Sequence, residues 1–163
     1  MEAIEAIKTR RSVRQYLPKP VPKEIIEEIV DCGRLAPSAN NDQPWEFVVV
    51  TGQEKREAIA AAATYGKFIA DAPVCLLVFA RNTRHFLEDG SAAMENMLIA
   101  AHTHGLGTCW IAGANTAYGA EIARICGAPA SHGLVALTPL GYSTDRPTAY
   151  KRSLEEVIHW EEY

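Results

Sequence analysis

The sequence lacks any apolar run long enough to cross a bilayer, and its first residues, MEAIEAIKTRR, lack the apolar core of a signal peptide. We therefore expect a cytoplasmic protein without a membrane partner. It also lacks an excess of positive charge, since the formal net charge is −4 and the sequence pI is about 5.7. A general nucleic-acid-binding protein would carry a broad basic face, so we expect no nucleic-acid partner.

Cysteine is scarce, and none of the four cysteines belongs to a C-x-x-C pair. Three of them lie inside apolar runs, which is typical of buried, reduced thiols and not of a disulfide framework or a zinc site. His102 and His104 are two residues apart on a predicted helix, so they face different directions and make poor metal ligands. We therefore expect no bound metal.

Several catalytic motifs are missing as well. The chain has no P-loop and no G-x-S-x-G nucleophile elbow. The glycines of GLGTCWIAG end a predicted helix and open a strand, which is the reverse of the order in a dinucleotide-binding fingerprint. An enzyme without an obvious nucleophile, base or metal can take its chemistry from a cofactor.

What the chain does contain predicts one globular domain over residues 1–163, with 48% hydrophobic and 22% charged residues and no visible linker or repeat. Because the chain opens with two helices before helix and strand alternate, we predict an α+β fold rather than a doubly wound sheet. Hydrophobic spacing predicts helices at 3–9, 22–35, 53–63, 85–105 and 118–127, and strands at 45–52, 72–80, 107–113 and 132–142. The helix at 85–105 is expected to carry Leu87, Met94, Met97, Leu98 and Ala101 on one side.

The segment TRRSVRQY concentrates three arginines and a serine in an acidic chain. If the segment is extended, Arg10, Ser12 and Arg14 point one way, and Arg11 and Val13 point the other. Two guanidinium groups and a hydroxyl on one face suit a phosphate, whose oxygens accept charge-assisted hydrogen bonds. A solvated basic turn is the alternative at this point.

A second polar stretch, APSANNDQPWEF, places Ser38, Asn40, Asn41 and Gln43 between a helix and a strand. Amides carry both donors and acceptors, so these side chains could contact the edge of a pyrimidine-like ring. A loop that only caps its own backbone through Asx turns is the alternative.

Two later features could join such a site. Gly113 follows the third predicted strand and would let the backbone approach a flat ligand closely. Lys151 and Arg152 are adjacent near the C-terminus and could close over the same phosphate, and ordinary surface charge is the alternative that this stretch by itself favours.

In order and content these stretches resemble the nitroreductase family of flavoproteins, whose members bind FMN. The resemblance covers nearly the whole chain and is carried by RRSVRQY, LAPSANNDQPWEFVVV, DGSAAMENMLIAAHTHGLGTCWI, and LGYSTDRP followed by KRSLEEVIHW. It implies a central mixed or antiparallel sheet flanked by helices. It also implies an intertwined homodimer with FMN sites at the interface, in which the long helix around residues 94–101 forms the dimer core.

The resemblance also implies a set of site residues. The first motif would hold the FMN phosphate and ribityl chain, the amide motif would contact the flavin from the other subunit, and the segment after CWI would pass beside the flavin nitrogen that accepts hydride. The implied cofactor-binding residues are Arg10, Arg11, Ser12, Arg14, Pro37, Ser38, Asn41, Gln43, Ala112, Gly113, Lys151 and Arg152. No catalytic side chain is expected, because flavin N5 carries the hydride.

The chain departs from the family pattern at two places. Ala112 stands where several members have glutamate, which removes a charge near the flavin and puts substrate choice by analogy in doubt. The segment KRSLEE is one residue shorter than the K-R-K-P-L-E-E of many relatives, so either Lys151 or Arg152 contacts the phosphate, with Arg152 favoured.

The implied activity is that of an FMN-dependent oxidoreductase. Hydride from NADH or NADPH would pass through flavin to a small organic acceptor such as a nitroaromatic, a quinone or an enone. A dehalogenase-type relative is disfavoured because residues 63–73 leave little material for a substrate-covering lid. A non-catalytic flavin-binding or redox-sensing protein is a further alternative, whereas RNA binding is disfavoured by the acidic balance and the lack of interleaved exposed aromatic residues.

Overall fold

Except for the third strand, the predicted helices and strands form at bounds close to those expected, in a computed structural model that describes residues 1–163. No helix is long and apolar enough to span a membrane. The helices are α1 Ala3–Thr9, α2 Lys23–Arg34, α3 Gln53–Ala62, α4 Phe86–Thr103 and α5 Gly119–Cys126. The strands are β1 Trp45–Val50, β2 Val74–Arg81, β3 Gly107–Thr108, β4 Ile111–Ala112 and β5 His132–Gly141.

The strands form one antiparallel sheet in the order β1-β2-β5-β3, with β4 pairing on the same edge of β5 as β3. Strand β2 is buried on both faces, as its continuous apolar run predicts. Its side chains alternate between two core clusters, with Leu76 and Val78 on one face and Leu77 and Phe79 on the other. The predicted α+β fold with a central sheet flanked by helices is confirmed.

Helices α2 and α4 cover one face of the sheet, and α3 and α5 cover the other. Helix α4 lies close to its neighbours because glycines stand at the contacts. A Cβ at Gly90 would lie 2.6 Å from Val135 Cγ2, and one at Gly33 would lie 2.7 Å from Met97 Cγ. Of the residues predicted on one side of α4, Met94, Met97, Leu98 and Ala101 are buried, whereas Leu87 is exposed near the start of the helix.

The third predicted strand is broken into β3 and β4. The register of both pieces on β5 places Cys109 opposite Pro139, which has no N–H to continue the ladder. The Cys109 N–H instead donates to Thr138 Oγ1 at 3.1 Å. The interruption leaves Trp110 partly exposed beside the sheet edge, where it contributes to the site described below.

The last fourteen residues, 150–163, form only turns and lie almost entirely exposed. They include apolar side chains that a single chain does not cover, among them Tyr150, Leu154 and Trp160, which is 79% exposed. We call this segment the C-terminal arm. The arm contains no helix and no strand.

Candidate functional site

The arginine-rich segment runs along the edge of the sheet. After α1 ends at Thr9, Ser12 forms a parallel bridge with Thr108 of β3, and the Val13 N–H donates to the Thr108 carbonyl at 2.8 Å. The Val13 side chain is buried against Gly107, where a Cβ would lie only 2.8 Å from it. The segment is therefore extended, as predicted, and its polar side chains are left to face away from the core.

These polar side chains surround one small cavity of about 180 Å³, here called the cationic cavity. Its lining consists of Arg10, Arg11, Ser12, Arg14, Pro147, Thr148, Ala149 and Lys151. No carboxylate lines it, and the nearest acidic partner is Glu95, whose Oε1 lies 3.7 Å from Arg10 Nε. Arg11 joins the lining although alternation places it on the other side, and Lys151 is present whereas Arg152 is not.

A second cavity of about 330 Å³, here called the aromatic cavity, shares Arg14 with the first. It is lined by Arg14, Tyr65, Phe68, Cys109, Trp110, Ile111, Ala112 and Tyr118. The Arg14 guanidinium lies 6.0 Å from the centre of the Phe68 ring. Sequence reasoning missed all four aromatic residues. The available signal was Tyr65 and Phe68, two aromatic residues that lie three apart and shortly precede the buried strand β2.

Ala112 and Gly113 occupy different positions relative to the aromatic cavity. Ala112 lines it, and its carbonyl accepts the Tyr118 hydroxyl at 2.7 Å. Gly113 is buried behind it: its N–H donates to the Val135 carbonyl at 3.0 Å, and a Cβ would lie 2.4 Å from Leu134 Cγ. Packing on β5 therefore explains this glycine, and its predicted contact with a flat ligand stays a prediction.

Residues 38–43 form a tight, strained loop, here called the amide loop. Ser38 Oγ accepts the Gln43 N–H at 3.0 Å, and Gln43 Nε2 donates to the Asn41 carbonyl at 3.3 Å. Asn40, Asn41 and Gln43 have φ values of 51°, 57° and 46°, in the left-handed region. Strain of this kind concentrates at functional sites, and the side chains of these three residues, like Pro37, are exposed.

The amide loop and the arginine-rich segment contact α4 at different places. The Ala39 N–H donates to Asp89 Oδ1 near the start of the helix, whereas Thr9 Oγ1 lies 2.9 Å from His102 Nε2 near its end. Asp89 and His102 are thirteen residues apart, or about 20 Å along the axis, and Glu95, which pairs with Arg10 of the cationic cavity, lies between them. No residue of the amide loop lines the cationic or the aromatic cavity, so one chain does not unite the predicted site.

Comparison with known proteins identifies the family. A family model described as the nitroreductase family matches residues 7–65 and 60–142. The chain belongs to the nitroreductase family. It is 35% identical to a protein of Methanothermobacter thermautotrophicus that is named provisionally as an NADH dehydrogenase/NAD(P)H nitroreductase, over 100% of this chain and 88% of the relative.

Two solved structures share the nitroreductase fold of this chain closely. An FMN-dependent nitroreductase from Clostridium difficile superimposes with a TM-score of 0.92 and 29% identity, covering 98% of this chain and 99% of that one. A provisionally named nitroreductase from Desulfovibrio desulfuricans, solved in complex with FMN, superimposes with a TM-score of 0.86 and 28% identity, covering 100% and 98%. The resemblance stated from the sequence is thereby confirmed.

In this nitroreductase-family chain, two titratable groups near the arginines of the cationic cavity, Cys109 and His102, have shifted pKa values. Burial raises the pKa of the Cys109 thiol, and the nearby Arg14 opposes that shift only in part. Burial lowers the pKa of His102, and the charges of Arg10 and Arg11 lower it further. The Cys109 thiol therefore stays protonated at neutral pH, which makes it a wall of the cavity rather than a nucleophile.

Proposed function

We propose that this chain is an FMN-dependent oxidoreductase that passes hydride from NADH or NADPH, through the flavin, to a small organic acceptor. One observation carries the proposal: a cavity lined by four cationic side chains and no carboxylate shares Arg14 with an aromatic cavity. Such a pairing fits a ligand with an anionic group at one end and a flat ring at the other.

The cationic cavity suits the phosphate of FMN. Its volume of about 180 Å³ is several times the roughly 30 Å³ share of a water molecule, so a phosphate fits. Arg10, Arg11 and Lys151 would supply charge-assisted donors, and the Ser12 hydroxyl would supply a neutral one. In a chain of net charge −4, four cations around one cavity whose lining has no carboxylate favour an anionic ligand.

The aromatic cavity suits a flavin ring. Its volume of about 330 Å³ lies at the lower end of the range for ligand pockets, roughly 300–1,000 Å³, and Tyr65, Phe68 and Trp110 offer flat apolar contact. Bound FMN would supply the electron transfer itself, taking hydride at N5 and handing electrons to the acceptor. Arg14 lies where the two cavities meet, so its charge would stabilise negative charge that develops on the adjacent ring edge.

The predicted FMN ligands in the amide loop are proposed to act from a second chain. No residue of the amide loop lines either cavity of its own chain, so in our proposal Asn41 and Gln43 reach the flavin of a partner in a homodimer. The exposed apolar side chains of the C-terminal arm fit this assembly, because burial against a second copy would remove them from water.

The proposed acceptors include nitroaromatics, quinones and enones, because all three are flat, electron-poor and small.

Four free cysteines in the fold favour a reducing compartment, which we take to be the cytoplasm. A single domain over residues 1–163 is consistent with core clusters on both faces of one sheet.

The test is direct. Purified protein should bind FMN, show a flavin spectrum, and lose its visible absorbance when NADH or NADPH is added without oxygen. Addition of a nitroaromatic or a quinone should restore the absorbance. A protein that stays colourless with micromolar FMN would contradict the proposal, and one that binds FMN tightly but never bleaches would be a non-catalytic flavin binder. Turnover of a halogenated tyrosine in preference to nitroaromatics would indicate the dehalogenase alternative.

A further inference from the structure

Asp89 is a buried carboxylate that the proposed chemistry does not use. It lies on α4, is 5% exposed, and accepts the Ala39 N–H through Oδ1 at 2.9 Å. Its second oxygen, Oδ2, is buried without any hydrogen-bond partner. Buried polar atoms are nearly always paired, so a carboxylate left half-satisfied in the core calls for a reason other than stability.

The reason lies in the loop that Asp89 holds. Ala39 stands directly before the left-handed residues of the amide loop, and its N–H makes the one hydrogen bond that joins α4 to the loop. The other bonds of the loop are internal or, like that between Asp42 and Arg81 at 3.0 Å, connect its far side to the end of β2. Without an anchor at Ala39, nothing on the side of α4 would oppose relaxation of the strained residues.

We propose that Asp89 is the positioning residue of the amide loop, holding Asn41 and Gln43 in the conformation that contacts the cofactor. This inference rests on the proposed function, in which the loop contacts FMN. Asp89 acts through the Ala39 N–H and touches neither FMN nor the acceptor. Because no residue of the amide loop lines a cavity of its own chain, the effect reaches the site of the partner copy in the proposed homodimer.

The test compares three variants of the full chain: Asp89→Ala, Asp89→Asn, and Glu88→Ala as a control. Glu88 is the exposed neighbour of Asp89 on the same helix turn and makes only a loose contact with His85, at 3.8 Å. The Kd for FMN is measured by quenching of flavin fluorescence, circular dichroism verifies the fold, and kcat and KM are measured with FMN in excess.

Asp89→Ala removes the anchor, so the Kd for FMN should rise by about tenfold or more, the range for loss of a hydrogen bond to a charged group. Asp89→Asn keeps an oxygen that accepts the Ala39 N–H, so its Kd should stay within about threefold of the unaltered chain. Glu88→Ala should bind FMN as the unaltered chain does. With FMN in excess, kcat should recover in Asp89→Ala, because the residue positions the loop and takes no part in the reaction.

A folded Asp89→Ala protein with an unchanged Kd would overturn the inference, because a merely structural aspartate affects unfolding and not FMN affinity. Asp89→Asn that binds as weakly as Asp89→Ala would also overturn it, by indicating that charge and not the hydrogen bond matters. If the unaltered chain does not bind FMN, the proposed function itself fails.

Should Asp89→Ala not fold, Ala39→Pro removes the same hydrogen bond from the donor side. Ser38 has φ −140° and ψ 157°, the extended conformation that a residue before proline prefers, so the preceding backbone accepts the substitution. The ring takes the place of the hydrogen that faces Asp89 Oδ1, 2.9 Å from the Ala39 nitrogen, so the proline also pushes the carboxylate away. The Kd for FMN should again rise by about tenfold or more. An unchanged Kd in Ala39→Pro would overturn the inference on its own.

Discussion

At the scale of single residues, the protonation of His102 should affect stability, because its imidazole lies near the charges of Arg10 and Arg11. The imidazole lies against Thr9 at the end of α1, and Arg10 and Arg11 follow directly in the chain. Glu5 is the one acidic group whose charge acts in the opposite direction. A proton on His102 therefore adds a third positive charge to a place that already has two.

The pKa of His102 is lowered in the folded chain by burial and by Arg10 and Arg11, so the unfolded chain binds more protons just below the ordinary value of 6.5. Stability supplied by the neutral imidazole is thus fully present above that value and is lost as the pH falls through it. In FMN-free protein, the free energy of unfolding in urea should fall less between pH 7.5 and pH 5.5 in His102→Gln than in the unaltered chain. Equal losses in both proteins would show that His102 does not carry this linkage.

The predicted site residues that are neighbours in the chain lie together in the structure. Arg10, Arg11, Ser12 and Arg14 meet at one cavity because a short extended segment cannot separate them. Phe68 was missed because it reaches Arg14 only through the tertiary fold, and no local pattern of residues encodes that contact.

At the scale of secondary-structure elements, the position of α4 determines the geometry of the site. The helix carries Asp89 at one end and His102 at the other, so any shift across the sheet moves both anchors. Gly90 allows α4 to approach β5 closely, because a Cβ there would lie 2.6 Å from Val135 Cγ2. Val135 is itself buried within a β-strand and has little room to move.

Gly90→Ala should therefore destabilise the protein by roughly 1–3 kcal/mol, the usual cost of adding a methyl group to a filled core. The measurement is the free energy of unfolding in urea. Gly52→Ala is the matched control: a Cβ at Gly52 meets nothing within 4 Å and the residue has φ −69°, so the change should stay within about 0.5 kcal/mol. A Gly90→Ala protein as stable as the control would mean that Val135 moves aside freely.

The elements themselves were predictable because their hydrophobic patterns are strong and their ends carry clear signals. Gly105, with φ of 71°, ends α4 as expected, and the Leu106 N–H bonds back to the Ala101 carbonyl. The break between β3 and β4 was not predictable, since it depends on Pro139 lying opposite Cys109 in a strand that is distant in sequence. That break brings Trp110 into the aromatic cavity, so part of the site was hidden from the sequence.

At the scale of the whole molecule, the proposed site is divided within one chain, since the amide loop lines neither the cationic nor the aromatic cavity. The proposed homodimer with twofold symmetry would resolve this, because each chain would supply its cationic and aromatic cavities to one site and its amide loop to the other. Every FMN site would then contain residues of both chains. Defects in different halves should therefore complement each other.

Arg14→Ala and Asn41→Ala chains, each with its own affinity tag, can be co-expressed and the mixed dimers isolated. In a mixed dimer one site receives both defects and the other receives neither, so the mixed dimer should bind about half the FMN of the unaltered dimer, while each parent variant binds weakly. A mixed dimer of Arg14→Ala with Arg10→Ala is the matched control: both changes lie in the cationic half, so each site keeps one defect and neither site recovers. If the Arg14→Ala and Asn41→Ala mixture binds no more FMN than its parents, each site is built from one chain, and the amide loop must reach the cavities of its own chain by moving away from Asp89.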